Sequence, residues 1–338
     1  MHFDSKVIKP TPDAPRWQDA IKKYQTPENR RSIWQITNSV IPYIALWYLM
    51  IRSLSGPYWV TLLLAWPAAW FIMRIFILQH DCGHASFFKS QKANDWVGTL
   101  CGFLTMVPYH QWRHEHAIHH ATSGDLSRRG DGDITTLTIK EYQALSPMGR
   151  LRYRAYRHPL TLLLAGTFFT FVFSHRFVRW YSGKREKRNV YLTNLALVTI
   201  WGGLCLTIGV KSFLMIWLPV TIISGVTGIW LFYVQHQYED TYWRNKEEWD
   251  YVTAAVMGSS FYKLPRIIQW FSGNIGFHHI HHLSPKIPNY KLEQCHRETP
   301  MFQQAPTIRF WESFKTMSLK LWDEDQKKLV PFSALKKR

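Results

Sequence analysis

The chain has 338 residues, 41 Lys and Arg against 23 Asp and Glu for a formal net charge of +18, and it is 46% apolar and 16% aromatic with 17 Trp. That much apolar surface excludes a disordered chain, which needs low hydrophobicity and few aromatics. The four cysteines, Cys82, Cys101, Cys205 and Cys295, are too widely spaced for a metal finger or a disulfide framework.

Residues 1–32 read as a polar cytoplasmic arm, with no apolar run behind a short basic start and so no expected cleavable signal peptide. Two apolar stretches follow, 33–51 and 58–79, each near the roughly 20 residues that cross a hydrocarbon core. The short turn SLSGP (53–57) makes them a transmembrane hairpin over 33–79. Residues 80–189 return to the cytoplasmic side and carry HDCGH (80–84) and HQWRHEHAIHH (110–120). Within them, the apolar runs 97–109 and 159–173 would rise only about 20 Å as helices, so they are expected to be re-entrant or interfacial. A second hairpin is expected over 190–235, with spans 190–210 and 212–235 and a turn at VKS (210–212). Residues 236–338 form the expected cytoplasmic cap, which holds HHIHH (278–282) and closes on IRFWESFKTMSLKLWDED, read as an amphipathic helix. The predicted fold is thus all-α integral membrane, with four transmembrane helices in two hairpins.

Lys22, Lys23, Arg30 and Arg31 precede the first span and the basic stretch 176–188 precedes the third, which places both on the cytoplasmic side. These segments face anionic headgroups and account for most of the basic excess, so nucleic acid is not an expected partner.

Histidine makes up about one residue in twenty, yet four of the five residues 278–282 are His. On a helix, residues three and four apart share a face. His80 and His84 are spaced i, i+4. His116, His119 and His120 are spaced i, i+3, i+4, and so are His278, His281 and His282. Each set is expected to aim its rings at one point. Imidazole suits iron, zinc or copper, and eight ligands exceed what one ion takes, so the count predicts two metals. His236, where the last span leaves the bilayer, lies at the same depth and is a ninth candidate. His110, His114 and His279 fall off the shared faces, while His2, His158, His175 and His296 read as ordinary side chains. Asp81, beside His80, and Asp240, four residues after His236, are placed to accept an imidazole N–H. Asn274, four before His278, is a third candidate to orient a ligand, with a turn as its simpler reading.

The segments HDCGHASFF, WRHEHAIHHATSGD, WLFYVQHQYEDTYW and GSSFYKLPRIIQWFSGNIGFHHIHHLSPKIPNYKLE resemble the integral-membrane fatty acid desaturases, most of all the bacterial acyl-lipid branch, over residues 30–330. The resemblance implies a non-haem di-iron centre held by the eight box histidines and His236. It also implies O2 as co-substrate and insertion of a cis double bond into a fatty acyl chain of a membrane lipid. A tunnel from the bilayer would set which carbon pair reacts. No HPGG haem signature, GxGxxG turn or iron–sulfur cysteine set is present, so electrons are expected from a separate ferredoxin- or flavodoxin-like donor, with Lys184, Arg185, Lys187 and Arg188 as part of its docking face. The expected location is the bacterial plasma membrane with a cytoplasmic active site. A membrane di-iron hydroxylase or ketolase would use the same histidines. A metal transporter would instead place its ligands near the bilayer midplane.

Overall fold

The computed structural model describes residues 17–129 and 133–337; residues 1–16 of the arm, His2 among them, lie outside the described residues. After a short helix α1 (Trp17–Lys22), the chain forms a long antiparallel pair, α2 (Asn29–Ser53) and α3 (Tyr58–Gly83). Pro57 ends the intervening turn and caps α3. Two shorter helices, α4 (Gln91–Thr105) and α5 (Tyr109–Thr122), pack back on α3. Met106 takes a left-handed conformation at the end of α4, with φ +63°, and turns the chain into α5. The predicted run 97–109 is therefore split across a helix end, a turn and a new helix.

Helices α6 (Ile139–Ala144) and α7 (Pro147–Tyr156) precede two wide-turn helical stretches, Thr161–Ala165 and Phe168–Phe173, which fill the second short run. Gly225 lies so close to this stretch that an added Cβ would stand 2.2 Å from Thr167 Cγ2. The second long pair is α8 (Lys184–Ile208) and α9 (Val210–His236). The expected turn at 210–212 is displaced: only Gly209 separates the two helices, at φ +83°. A residue without Cβ adopts that angle without steric cost, so the reversal needs no further loop.

Among the described residues, three helices are long and apolar enough to cross a membrane: 58–83, 184–208 and 210–236. Half of the apolar window of α3 is buried, against 11% for α8, so α3 is the most enclosed of the three candidates and α8 the most exposed. The fourth expected span lies in α2, which has the length but carries Ser32, Gln35, Thr37, Asn38 and Ser39 in its first turns.

Beyond α9 come α10 (Tyr251–Met257), strand β1 (Phe261–Lys263), α11 (Arg266–Phe271), α12 (His278–Leu283) and α13 (Asn289–Glu298). The fold is mostly helical but not all-α. Strand β1 pairs in parallel with β2 (Thr307–Arg309). The expected C-terminal amphipathic helix is confined to α14 (Phe310–Thr316), after which β3 (Leu321–Asp323) and β4 (Lys328–Val330) form an antiparallel hairpin. Leu321, Trp322, Leu329 and Val330 are buried in this hairpin, which alternation along a strand can satisfy and a helix face could not. A separate core under the histidine boxes gathers Ile21, Tyr24, Val256, Phe277, Ile280, Leu292 and Phe302.

Candidate metal centre

Four elements deliver the histidines to one place. Helix α3 continues past its apolar run, so His80 sits in its last turn and His84 caps it. Helix α5 begins after Pro108 and carries His116, His119 and His120, while α9 ends at His236. Helix α12 is little more than the third box itself.

All nine predicted histidines converge, but in two clusters that cut across the sequence sets. His80, His84, His116, His120 and His281 form one, and His119, His236, His278 and His282 the other, with ligand atoms in each within 4.8 Å of one another. The expectation that each triplet aims at a single point is corrected here. At about 100° per residue, positions i and i+4 lie 40° apart, whereas i+3 and i+4 diverge by 100°. His116 and His120 therefore point together and His119 points away. On α12, His278 and His282 point together and His281 crosses to the first cluster.

The distances test whether metals fit. Nε2 atoms stand 3.1 Å apart in His116 and His120, 2.9 Å in His120 and His281, 2.9 Å in His236 and His278, and 3.1 Å in His278 and His282. Two donors at right angles on one ion, each ~2.1 Å from it, stand ~3.0 Å apart, while tetrahedral partners stand ~3.4 Å apart. Nitrogens this close together can share an ion. Buried Nε2 atoms of His84 and His119 have no protein partner, as donors waiting for a cation would not. Burial, followed by repulsion from neighbouring rings, holds His116, His120, His278, His281 and His282 well below the usual 6.5. Neutral imidazole is the form that binds metal.

Around the rings, Asp81 Oδ1 lies 3.2 Å from His80 Nδ1, and both side chains are buried. Asn274 makes no hydrogen bond to a histidine among the described residues: it occupies a left-handed turn at φ +58° and its Nδ2 donates to the Asn289 carbonyl. Asp240 is exposed and no histidine pairs with it among the described residues. The i, i+4 relation to His236 fails because α9 ends at His236, and Gln237 leaves helical geometry. At the same cluster, Asp133 Oδ1 is 3.1 Å from Nδ1 of a different ring, His119, within ion-pair range though off the line of a good hydrogen bond. Sequence reasoning missed Asp133 because it lies in a loop with no periodicity. It also missed Trp112, four residues before His116, which stacks on that ring at 4.6 Å and 17°. Spacing alone could have found this second residue.

The remaining described histidines stay outside both clusters. His279 is buried but faces His296, at 3.3 Å between ring nitrogens, and His114 stacks on Tyr181. His110 is half-buried, and burial pushes it down to about 4.

Apolar helices of membrane-crossing length that end in two adjacent all-imidazole clusters define a membrane protein with a candidate dinuclear histidine centre. The sequence profile described as "Fatty acid desaturase" matches residues 56–313, and the chain belongs to the fatty acid desaturase family. It is 48% identical over 316 residues to the "Fatty acid desaturase" of Bacillus subtilis, covering 94% of this chain and 90% of the relative. Similarity extends to the "sn-1 oleoyl-lipid 12-desaturase" of Synechocystis, 28% identical with 86% and 84% covered, and to an endoplasmic-reticulum omega-3 fatty acid desaturase of Vigna radiata, 28% identical with 78% and 70% covered.

Proposed function

We propose that this chain is a membrane acyl-lipid desaturase, using O2 and external electrons to place a cis double bond in a fatty acyl chain. The observation that carries the reading is the convergence of nine imidazoles into two groups in a chain of this family. His80, His84, His116, His120 and His281 would hold one iron, and His119, His236, His278 and His282 the other. Bound there, a pair of irons supplies the oxygen activation that an unactivated methylene requires.

The residues of the chain do the positioning. Among the described residues no carboxylate belongs to either cluster, so the ligands identified are neutral rings that would leave the ions their positive charge. Asp81 takes the outward N–H of His80 and Asp133 faces that of His119, which fixes both rings. Burial of His278, His281 and His282 keeps bulk water from the third box.

In this reading α2 is the fourth span. Its 25 residues rise about 37 Å, and Ile33, Trp34, Ile41, Ile44 and Tyr48 are exposed as lipid-facing side chains would be. The wide-turn stretches 161–173 lie at the membrane surface, and the segments after each hairpin close over its cytoplasmic end. The centre then faces the cytoplasm at the plasma membrane, where an acidic ferredoxin or flavodoxin delivers electrons to the basic face around Lys184, Arg185, Lys187 and Arg188. Charge reversal at those four positions should slow donor-dependent turnover and flatten its salt dependence; unchanged kinetics would remove them from the docking face.

Expression in a host without unsaturated acyl chains, followed by mass spectrometry with double-bond localisation, tests the reading. Monounsaturated lipid is the expected product. A hydroxylated or keto product would transfer the chain to the related oxygenases.

A further inference from the structure

A cavity of about 340 Å³ lies between the two long helical pairs, away from the metal centre. Its walls come from α2 (Tyr43, Trp47), α3 (Ile72), the tip of α4 (Met106), α8 (Leu204) and α9 (Ser224), among others. None of the nine histidines lines it, nor do Trp112 and Phe232, the rings packed on them. Between Ile72 and His80 the α3 axis rises about 12 Å. Gln79, in that interval, is clasped by α4 and the turn after it: Thr105 Oγ1 donates to its Oε1 at 2.6 Å, and its Nε2 donates to the Val107 carbonyl at 3.1 Å.

We propose that this cavity binds one acyl chain of an anionic glycerophospholipid, at a site separate from the one that presents substrate to the metals; the inference rests on the membrane placement given above. Three observations lead to that occupant. The lining is predominantly apolar, and the hydroxyl of Ser224 is turned to the Thr221 carbonyl of its own helix, so the cavity offers water few partners and suits a hydrocarbon occupant better. The volume is more than twice the ~150 Å³ that accepts benzene, room for on the order of ten methylenes. Apart from the end of α4, the walls belong to the long helices α2, α3, α8 and α9, so what meets the opening is lipid chain, and filling the void restores dispersion contacts the walls otherwise forfeit.

Charge favours an anionic lipid over a neutral one. Arg176 donates to the carbonyl of Met106, a wall residue, and to Asn194 Oδ1 at 2.9 Å. Among the described residues no carboxylate pairs with Arg176, and its buried Nε has no partner. A phosphate at this end of the cavity would complete the guanidinium's interactions.

The test uses the full chain in nanodiscs of phosphatidylcholine carrying a trace of phosphatidylglycerol with a diazirine on one acyl chain. After photolysis, label is expected in peptides covering 200–204 and 217–224, and Ser224→Phe should lower it at least fivefold. Leu204→Trp fills the same space from the neighbouring helix α8 and should do likewise if the first variant misfolds. Arg176→Gln should lower labelling by phosphatidylglycerol but not by the phosphatidylcholine analogue. Uniform labelling of all exposed helix faces, or undiminished label in both filled variants, overturns the proposal. Equal labelling by a free diazirine fatty acid also overturns it, since the glycerophosphate then contributes nothing. Both filled variants should keep desaturation of supplied substrate. If they instead stop turnover or shift chain length, the cavity is the substrate's own passage and the separate site is excluded, while the desaturase reading stands.

Discussion

Asn289 gives Asp81 two hydrogen bonds on one oxygen: its backbone N–H lies 2.7 Å and its Nδ2 2.8 Å from Asp81 Oδ2. The other oxygen faces His80, so the helix after the third box fixes the carboxylate that fixes the first box. Gln35 on α2 closes the network, exchanging hydrogen bonds with Asn289 at 2.8 and 3.0 Å. Helices far apart in sequence are thereby locked to one imidazole.

Asp81→Asn keeps the size of this side chain and removes its charge. Removing such an outer partner typically costs about 10–100-fold in metal affinity or activity. Bound iron per chain, measured by elemental analysis after dialysis against a graded chelator, should fall in that range with the helical content unchanged. Iron retention equal to wild type would show that His80 is oriented without Asp81.

The two acidic candidates near the second cluster separate cleanly. Asp133→Asn should weaken iron at the cluster containing His119 by about the same 10–100-fold. Asp240→Asn, on an exposed side chain past the end of α9, should leave iron content and turnover at wild-type values. The reverse pattern would restore the sequence-based assignment and discard the one drawn from the structure.

How far the sequence could reach is clear from these residues. The eight box histidines were legible because density and helical spacing are local properties, and His236 because it stands where the last span ends. Their division was not, since spacing gives the faces of one helix but not which face of a second helix comes opposite. Asp240 looked equivalent to Asp81 only while α9 was assumed to continue beyond His236. Asp133 had no local signal at all, because its loop is placed by tertiary contacts. The same limit explains the C-terminal hairpin, where IRFWESFKTMSLKLWDED fits a helical pattern until partner strand β4, outside that segment, decides otherwise.

The crossed pattern makes a sharper prediction for neighbours in sequence. His119 and His120 belong to different clusters, so His119→Ala and His120→Ala should each lower iron from two toward one per chain, but at different ions. The double variant should then lose both. If one single variant emptied both positions and the other none, the two residues would share a site and the division would be wrong.

Acid should act on the metal-free protein in a definite direction. His278, His279, His281 and His282 are all buried, and burial first, then neighbouring rings, holds each well below 6.5. In the unfolded chain they titrate near 6.5, so below that pH the unfolded state binds more protons than the native one. Stability therefore falls as pH drops from about 7 to 5, by up to about 1.4 kcal/mol per pH unit for each group. The stabilising contribution is complete above the unfolded value and is lost progressively below it. Thermal unfolding after exhaustive chelation should show Tm falling steeply over that interval. Iron-loaded protein should unfold at higher Tm at pH 7, because the ion binds only the native state, and should lose that advantage as protons compete for the rings. A metal-free Tm independent of pH between 7 and 5 would mean that α12 is solvated when the metals leave, and that its burial depends on them.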